Sequence, residues 1–345
     1  MKRSYPVRVV KDTIEVDVEK KAEKKAKSTP KDQKIVIIGS GAAAVSAAEK
    51  LVEGGYSVKM ITADSFEPYD RTLVSKRFAH VPYTDIVNHI DFTTDYSLVN
   101  IDENKKTVTI KNVQPKHSNH QKFATNYSCG PKKNWNLVDV EYDKLIIATG
   151  LKTRGIAPGG VSIYSALDAK ELTSGLTVDK NVGIIGGSFL AVETASGLVQ
   201  KPEFKPKSVT MFYDTNTPFG HIYGDEIGAF VAGELEALGV KLQSGKRLDP
   251  SDRNEQIDLF INAAGAVPDT DYLLNSKLIE RSDKNFIVTD SNFQTGNADI
   301  YAVGDVSIAS GINNQHWAYA QESGIVAAKH IMGEPASMDY VRVLL

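Results

Sequence analysis

The sequence predicts an α/β protein made of two doubly wound, three-layer units of parallel strands and helices. Three observations predict it. A strand, a glycine turn and an alanine-rich helix follow one another over Lys34–Leu51. The same arrangement returns over Asn181–Leu198. Two further short apolar runs, Asp143–Gly150 and Asp299–Asp305, end in small residues, as buried parallel strands do.

The first residues alternate, with Tyr5, Val7 and Val9 and then Ile14, Val16 and Val18. That period predicts a β-hairpin turned at Lys11-Asp12-Thr13. Glu19 to Lys34 is rich in Lys, Glu, Ala and Ser and reads as a solvated linker. In KIVIIGSGAAAVSAAEKL, Ile35 to Ile38 are too few for a helix and suit a buried strand. Ala44, Ala47, Ala48, Leu51 and Val52 fall at helical spacing, and Gly54-Gly55 stops the helix. In this context G-x-G-x-x-G/A binds a dinucleotide. Gly39 permits the turn, Gly41 lets backbone N–H groups approach a pyrophosphate, and Ala44 keeps the helix close to its strand. The helix N-terminus, opening at Ala42, then faces the phosphates. A plain strand–helix turn would use the same glycines.

Ser57 to Thr62 is the second strand, and Asp64 lies about twenty residues past Ala44, where an acid holds an adenosine ribose. Residues 92 to 142 read as an antiparallel meander with a turn at Asn104-Lys105-Lys106, and Pro115 to Lys133 as a surface loop. In the second copy Gly186 falls on Gly39, Ala191 on Ala44 and Leu198 on Leu51. The chain therefore contains an internal duplication. A strand at Val209–Tyr213, the acid Asp214, a helix over Asp225–Leu238 and a strand at Asp258–Asn262 continue that unit. The run Ala263-Ala264-Gly265-Ala266 closes it, and a last helix spans Tyr319–Met332.

The 345 residues suffice for two cores. A formal net charge of -3 argues against a nucleic-acid partner, and no apolar run reaches the length of a membrane span. Met1-Lys2-Arg3-Ser4 leads into charged residues rather than an apolar stretch, which points to the cytoplasm, with a mitochondrial location as the alternative. Cys129 is the one cysteine, so no redox dithiol exists within the chain. The seven histidines show no metal spacing, and no metal is expected.

The order of first fingerprint, Pro68-Tyr69-Asp70-Arg71 with Ser75-Lys76, Ala148-Thr149-Gly150, second fingerprint and Tyr301-Ala302-Val303-Gly304-Asp305 resembles the FAD/NAD(P)H-dependent ferredoxin-reductase-like flavoproteins of the pyridine nucleotide-disulfide oxidoreductase superfamily. The Rieske-linked apoptosis-inducing-factor-like branch matches best, from Ile35 to about Met332. The resemblance implies a discontinuous FAD domain, residues 34–155 and 275–345, with an NAD(P) domain inserted at 156–274 and a hairpin remnant at 1–33. It also implies roles. Gly39, Gly41 and Asp64 hold the ADP half of FAD. Arg71 and Lys76 contact the flavin side. Thr149, Gly150, Gly304, Asp305 and Trp317 line the flavin and ribityl region. Gly186, Ser188 and Phe189 face the nicotinamide nucleotide, with Asp214 at its ribose and Gly265 at the strand end beside it. Glu193 pairs with Lys76 beside the flavin.

The implied activity is FAD-dependent NAD(P)H oxidation. Hydride passes from NADH, with NADPH as an alternative, to flavin. Electrons then leave for a small redox protein, a quinone or oxygen. The sequence also departs from the resemblance: Ser188 stands in place of the middle glycine, and the iron ligands of a Rieske domain are missing, as is the family's C-terminal interface domain. These departures keep a second reading open, a catalytically impaired nucleotide-binding protein with a redox-sensing or cell-death-related role. They leave the oligomeric state undetermined.

Overall fold

The computed structural model describes residues 7–10, 13–16, 31–83, 90–113, 137–155, 160–204, 206–245, 248, 256–274, 276–336 and 338. Two five-stranded parallel sheets organise these residues. In the first, the strand Lys31–Ile38 is central. It lies between Tyr56–Ile61, with Asp91–Thr93 at that edge, and Lys144–Ile147, with Ile300–Ala302 at the other. In the second, Asn181–Ile185 is central. It lies between Ser208–Phe212, with Val240–Gln243 outside it, and Leu259–Asn262, with Val161–Ser162 outside it. The two sheets share one plan, so the duplication extends from the fingerprints to the strand order.

Strand alternation builds the layers of the first unit. Ile35 and Ile37 point to one face, into a core with the helices Ala42–Glu53 and Trp317–Ile331. Val36 and Ile38 point to the other, against Ile101, Val108 and Ile110. Those three belong to an antiparallel sheet of Tyr96–Asp102, Thr107–Asn112 and Leu137–Glu141. In the second unit Val182 and Ile184 pack with the helices Ala166–Gly175, Phe189–Gln200 and Asp225–Ala237, while Ile185 and Phe212 meet Leu248 on the opposite face. The chain crosses between the units twice. The crossing strands Leu151–Thr153 and Ala266–Pro268 pair antiparallel, which ties the entry and exit together.

The elements depart from the sequence reading in a few places. The central strand begins at Lys31 rather than at Lys34, because Lys31 pairs with Tyr56 ahead of a register shift. The stretch assigned to a linker therefore contributes its last four residues to a sheet. Asp91–Thr93 joins the parallel sheet, beside Lys59–Ile61, and the meander starts at Tyr96. The hairpin forms from Val7–Val10 and Thr13–Val16, but Thr13, assigned to the turn, instead pairs with Val10, which puts Val9 opposite Ile14. Cys129, the Pro115–Lys133 loop and residues 339–345 lie outside the described residues. Among the described residues no helix is long and apolar enough to cross a membrane.

Candidate functional site

The two glycine turns are built by the same contacts. Gly39 has φ +121° and Gly186 φ +135°, conformations that L side chains rarely adopt. The Gly39 N–H donates to the Ile61 carbonyl at 2.7 Å, and the Gly186 N–H to the Phe212 carbonyl at 2.9 Å. A Cβ on Gly39 would run into the Ala148 carbonyl, 2.7 Å from its carbon; on Gly186 it would meet the Ala263 carbonyl, again 2.7 Å from the carbon. Each cradle strand thus passes its neighbour too closely for any side chain. Gly41 and Ser188 stand at matching positions in extended backbone, at φ -76° and -110°, so the serine is accommodated without backbone strain.

Beside the first cradle, Asp64 is buried at 8 % exposure. Its Oδ2 accepts from the Tyr69 hydroxyl at 2.6 Å and from Arg71 Nη2 at 3.1 Å. Its Oδ1 is buried with no hydrogen-bond partner. An unpaired buried carboxylate oxygen is costly, about 1–3 kcal/mol or more. An acceptor left open here is what a ribose hydroxyl would satisfy, so the residues present fit a dinucleotide. Arg71 lies with its guanidinium carbon 5.0 Å from the Tyr69 ring centre and 5.8 Å from that of Tyr164. Its Nε is the nearest atom, at 3.9 Å, to where a Gly41 Cβ would project. The path over the Gly41 backbone is therefore open except for a cation suited to phosphate.

Gly304 and Asp305 follow the strand Ile300–Ala302 in a short 3-10 turn. The Gly304 N–H donates to Ser323 Oγ at 2.9 Å, which anchors the turn on the last helix and beside the first cradle. Burial pushes the Asp305 carboxyl up to about 6, against the opposing pull of Arg71. Tyr164 Oη stands 3.5 Å from the Cβ position of Gly150, and burial raises its pKa. Thr149 Oγ1 bonds the hydroxyl of the half-buried Tyr272 at 3.0 Å. Trp317 is half-buried at the start of its helix, 6.2 Å from the Tyr83 ring, and His316 Nδ1 caps that helix through the Ala318 N–H.

The second cradle meets the first through side chains. Lys76 Nζ lies 3.0 Å from Glu193 Oε1, and Ser75 Oγ donates to Glu193 Oε2 at 2.6 Å. Lys76 also donates to the Thr72 carbonyl at 3.1 Å. The pairing expected from the sequence forms, though the lysine is half-exposed rather than buried. The Ala166 N–H donates to the Tyr69 hydroxyl at 2.9 Å, a second link between the units. Phe189, 41 % exposed, packs its ring at a tilt against Phe219, centres 4.8 Å apart, with Tyr223 at 6.1 Å. Asp214 is exposed past the end of its strand, and Gly265 accepts the Arg154 N–H through its carbonyl.

Sequence reasoning found both cradles and the ion pair. It missed Ser75, Tyr164, Tyr272 and Phe219 and the bridging role of Tyr69. Ser75 adjoins Lys76 and Tyr69 lies two residues before Arg71, and those nearby hydroxyls were the available signal. Tyr164 and Tyr272 carry no local signal, since their partners lie far along the chain.

The family model described as pyridine nucleotide-disulphide oxidoreductase matches residues 33–324. NADH-rubredoxin oxidoreductase of Clostridium acetobutylicum is 26 % identical over 321 residues, covering 89 % of this chain and 76 % of the relative. Apoptosis-inducing factor 3 of Homo sapiens is 26 % identical over 347 residues, covering 90 % of this chain and 52 % of the relative, so the chain spans about half of that protein. The crystal structure of NADH:rubredoxin oxidoreductase from Clostridium acetobutylicum matches with TM-score 0.73 at 24 % identity, over 90 % of this chain and 78 % of that one, and supports the fold.

Proposed function

The chain belongs to the pyridine nucleotide-disulphide oxidoreductase family, and from that premise we propose that it is an FAD-dependent NAD(P)H oxidoreductase serving a small one-electron carrier protein. The observation that carries this reading is the Lys76–Glu193 ion pair. It joins the segment beside the first cradle to the opening turns of the second cradle's helix, so the two cradles face each other across one short contact. The relative named for rubredoxin reduction supports the choice of acceptor. The absence of a second cysteine within the chain removes a dithiol as the electron's next stop.

A bound flavin would supply the chemistry of accepting hydride from nicotinamide and releasing electrons singly. The chain's own residues position the two nucleotides. Gly39 and Gly41 admit one pyrophosphate, Arg71 neutralises it and Asp64 holds its ribose through the unpaired oxygen. Asp305 and Gly304 sit beside this cradle, anchored by Ser323, where a sugar hydroxyl would find an acceptor. Gly186 and Ser188 admit the second nucleotide, with Phe189 over its approach. Lys76 brings positive charge to the junction, and Glu193 and Ser75 fix its direction.

An anaerobic absorbance titration tests the reading. Protein reconstituted with FAD should show flavin bands that bleach on adding NADH and return on adding an oxidised iron–sulfur or rubredoxin-type carrier. Protein that takes up no FAD, or whose bound flavin stays oxidised in millimolar-scale NADH, the upper range of ordinary KM values, refutes it.

A further inference from the structure

Because the two cradles share one hydrogen-bond register, residues that follow their second strands can be matched one for one. The Gly39–Ile61 and Gly186–Phe212 bonds put Phe212 on Ile61. Tyr213 then falls on Thr62, Asp214 on Ala63 and Thr215 on Asp64. In the first cradle this register delivers a buried carboxylate with one free oxygen. In the second it delivers a threonine whose hydroxyl is turned away, donating to the Thr217 carbonyl at 2.8 Å.

Tyr213 completes the difference. It is 5 % exposed and belongs to the core with Leu235 and Val240. Its Cβ and Cγ lie 2.9 and 3.2 Å from the Cβ position of Gly187, the middle residue of the glycine turn. In the first cradle that place holds Ser40 and Thr62, bonded to each other at 3.0 Å, and the Asp64 N–H donates to Thr62. The second turn is thus packed by an aromatic ring instead of being wired to an acid. Asp214, the one carboxylate nearby in sequence, is exposed. The stretch Tyr213-Asp214-Thr215-Asn216-Thr217 contains no Lys or Arg.

We infer that the second cradle does not read the 2' position of the adenosine ribose, so the chain takes NADH and NADPH with comparable affinity. Selection between them rests on an acid that hydrogen-bonds the 2'-hydroxyl and repels a 2'-phosphate, or on an arginine that binds the phosphate. Here the register position of the acid is a threonine engaged elsewhere, and no arginine stands among Tyr213–Thr217. The inference rests on the reading of the second cradle as the NAD(P)H site.

The test is equilibrium binding of NADH and of NADPH to the FAD-loaded chain at about 0.15 M salt, where surface charge is screened beyond about 8 Å. It is read by quenching of nucleotide fluorescence with the flavin already reduced by dithionite, which leaves no hydride acceptor, and repeated by calorimetry with NAD+ and NADP+ on the oxidised flavin. Dissociation constants within about tenfold of each other support the inference; a factor of ten is the smallest preference worth about 1.4 kcal/mol. A larger preference for either nucleotide overturns it. The variant Thr215→Asp, which returns a carboxylate to the matched position without touching the buried ring, should shift the ratio at least tenfold toward NADH; an unchanged ratio overturns the register argument. Failure to bind any of the four nucleotides overturns this inference together with the functional reading. Binding with a strong preference sinks the inference alone.

Discussion

Two mid-helix glycines should respond to the same substitution with opposite signs. Gly324 lies in the helix Trp317–Ile331 where it crosses Ala42–Glu53. A Cβ there would strike the Ala43 carbonyl oxygen and come within 3.0 Å of the Ala47 nitrogen and 3.1 Å of the Ala43 carbonyl carbon. These atoms are backbone of a buried helix, so none can rotate aside. Gly233 lies in the helix Asp225–Ala237 with nothing within 4 Å of its Cβ position. Replacing glycine by alanine in a helix gains about 0.8–1.0 kcal/mol of intrinsic propensity at either site. At Gly233 that gain stands alone. At Gly324 it is opposed by overpacking, typically about 1–3 kcal/mol and at the upper end against fixed backbone. The net expectation for Gly324→Ala is a loss of about 1–2 kcal/mol, and the two variants should differ by about 2–3 kcal/mol. The loss also reaches the site. Ser323 of the same helix holds the Gly304 N–H, and a displaced helix carries the Gly304–Asp305 turn away from the first cradle. FAD affinity should therefore fall about tenfold for each 1.4 kcal/mol lost in the bound geometry. Scanning calorimetry of the FAD-free chain measures the first effect; if the units unfold separately, each variant moves its own transition. Fluorescence titration with FAD measures the second. The reasoning is refuted if both variants shift stability in the same direction, or if Gly324→Ala binds FAD as tightly as the parent.

Three further outcomes follow from the same contacts. Gly186→Ala should abolish nicotinamide nucleotide binding while FAD is retained, and Gly39→Ala the reverse, each by about a hundredfold or more since a glycine-only conformation costs about 1–3 kcal/mol before the carbonyl clash is added; dialysis followed by flavin absorbance separates the two. Glu193→Ala leaves Lys76 with only the Thr72 carbonyl, and reduction of bound flavin by NADH in stopped flow should slow by about ten- to a hundredfold, the worth of one charged hydrogen bond, at unchanged FAD content. For pH, the Asp305 carboxyl is raised to about 6 in the folded chain, so between about pH 4 and 6 the folded state holds a proton that the unfolded state has lost. The FAD-free protein should consequently lose stability as pH rises through that window, and Asp305→Asn should flatten the decline; denaturant melts at pH 4.5 and 6.5 that move in parallel for both proteins would contradict this.

What the sequence made legible is what the backbone alone determines. The Ile35–Ile38 and Asn181–Ile185 strands, their glycine turns and their helices are local events, visible in apolar runs and spacing. The Lys76–Glu193 pair crosses 117 positions, and it was reachable only because a resemblance placed both residues at one flavin. Elsewhere distance hid the answer. Asp91–Thr93 looks like the start of the meander because three residues carry no period of their own. It joins the parallel sheet through pairing with Lys59–Ile61, helped by the Lys59–Asp91 ion pair at 2.8 Å. Tyr69 joins Asp64 to Ala166, 97 positions away, and nothing in Pro68-Tyr69-Asp70-Arg71 announces the second partner. Asp214 was the natural candidate for the ribose by adjacency in sequence. Only the matched hydrogen bonds show that Thr215 occupies the corresponding place.

The two copies also explain which parts of such a module can drift. Gly39 and Gly186 are both glycine because the atom each would strike is a carbonyl of the adjacent strand, Ala148 or Ala263, and no change of side chain can move it. Ala44 and Ala191 are both alanine because each helix is fully buried against its strand at that point. Gly41 and Ser188 differ, and there the surroundings are open, with Arg71 Nε at 3.9 Å the nearest atom to the Gly41 site. Asp64 and Thr215 differ as well: Asp64 accepts from Tyr69 and Arg71, whereas the Thr215 hydroxyl donates to the Thr217 carbonyl. Backbone-on-backbone contacts are thus what the two turns share, while the side chains around them differ. A single polypeptide can on this footing hold a buried acid beside one glycine turn and a threonine at the matched place beside the other, with the same strand order in both sheets.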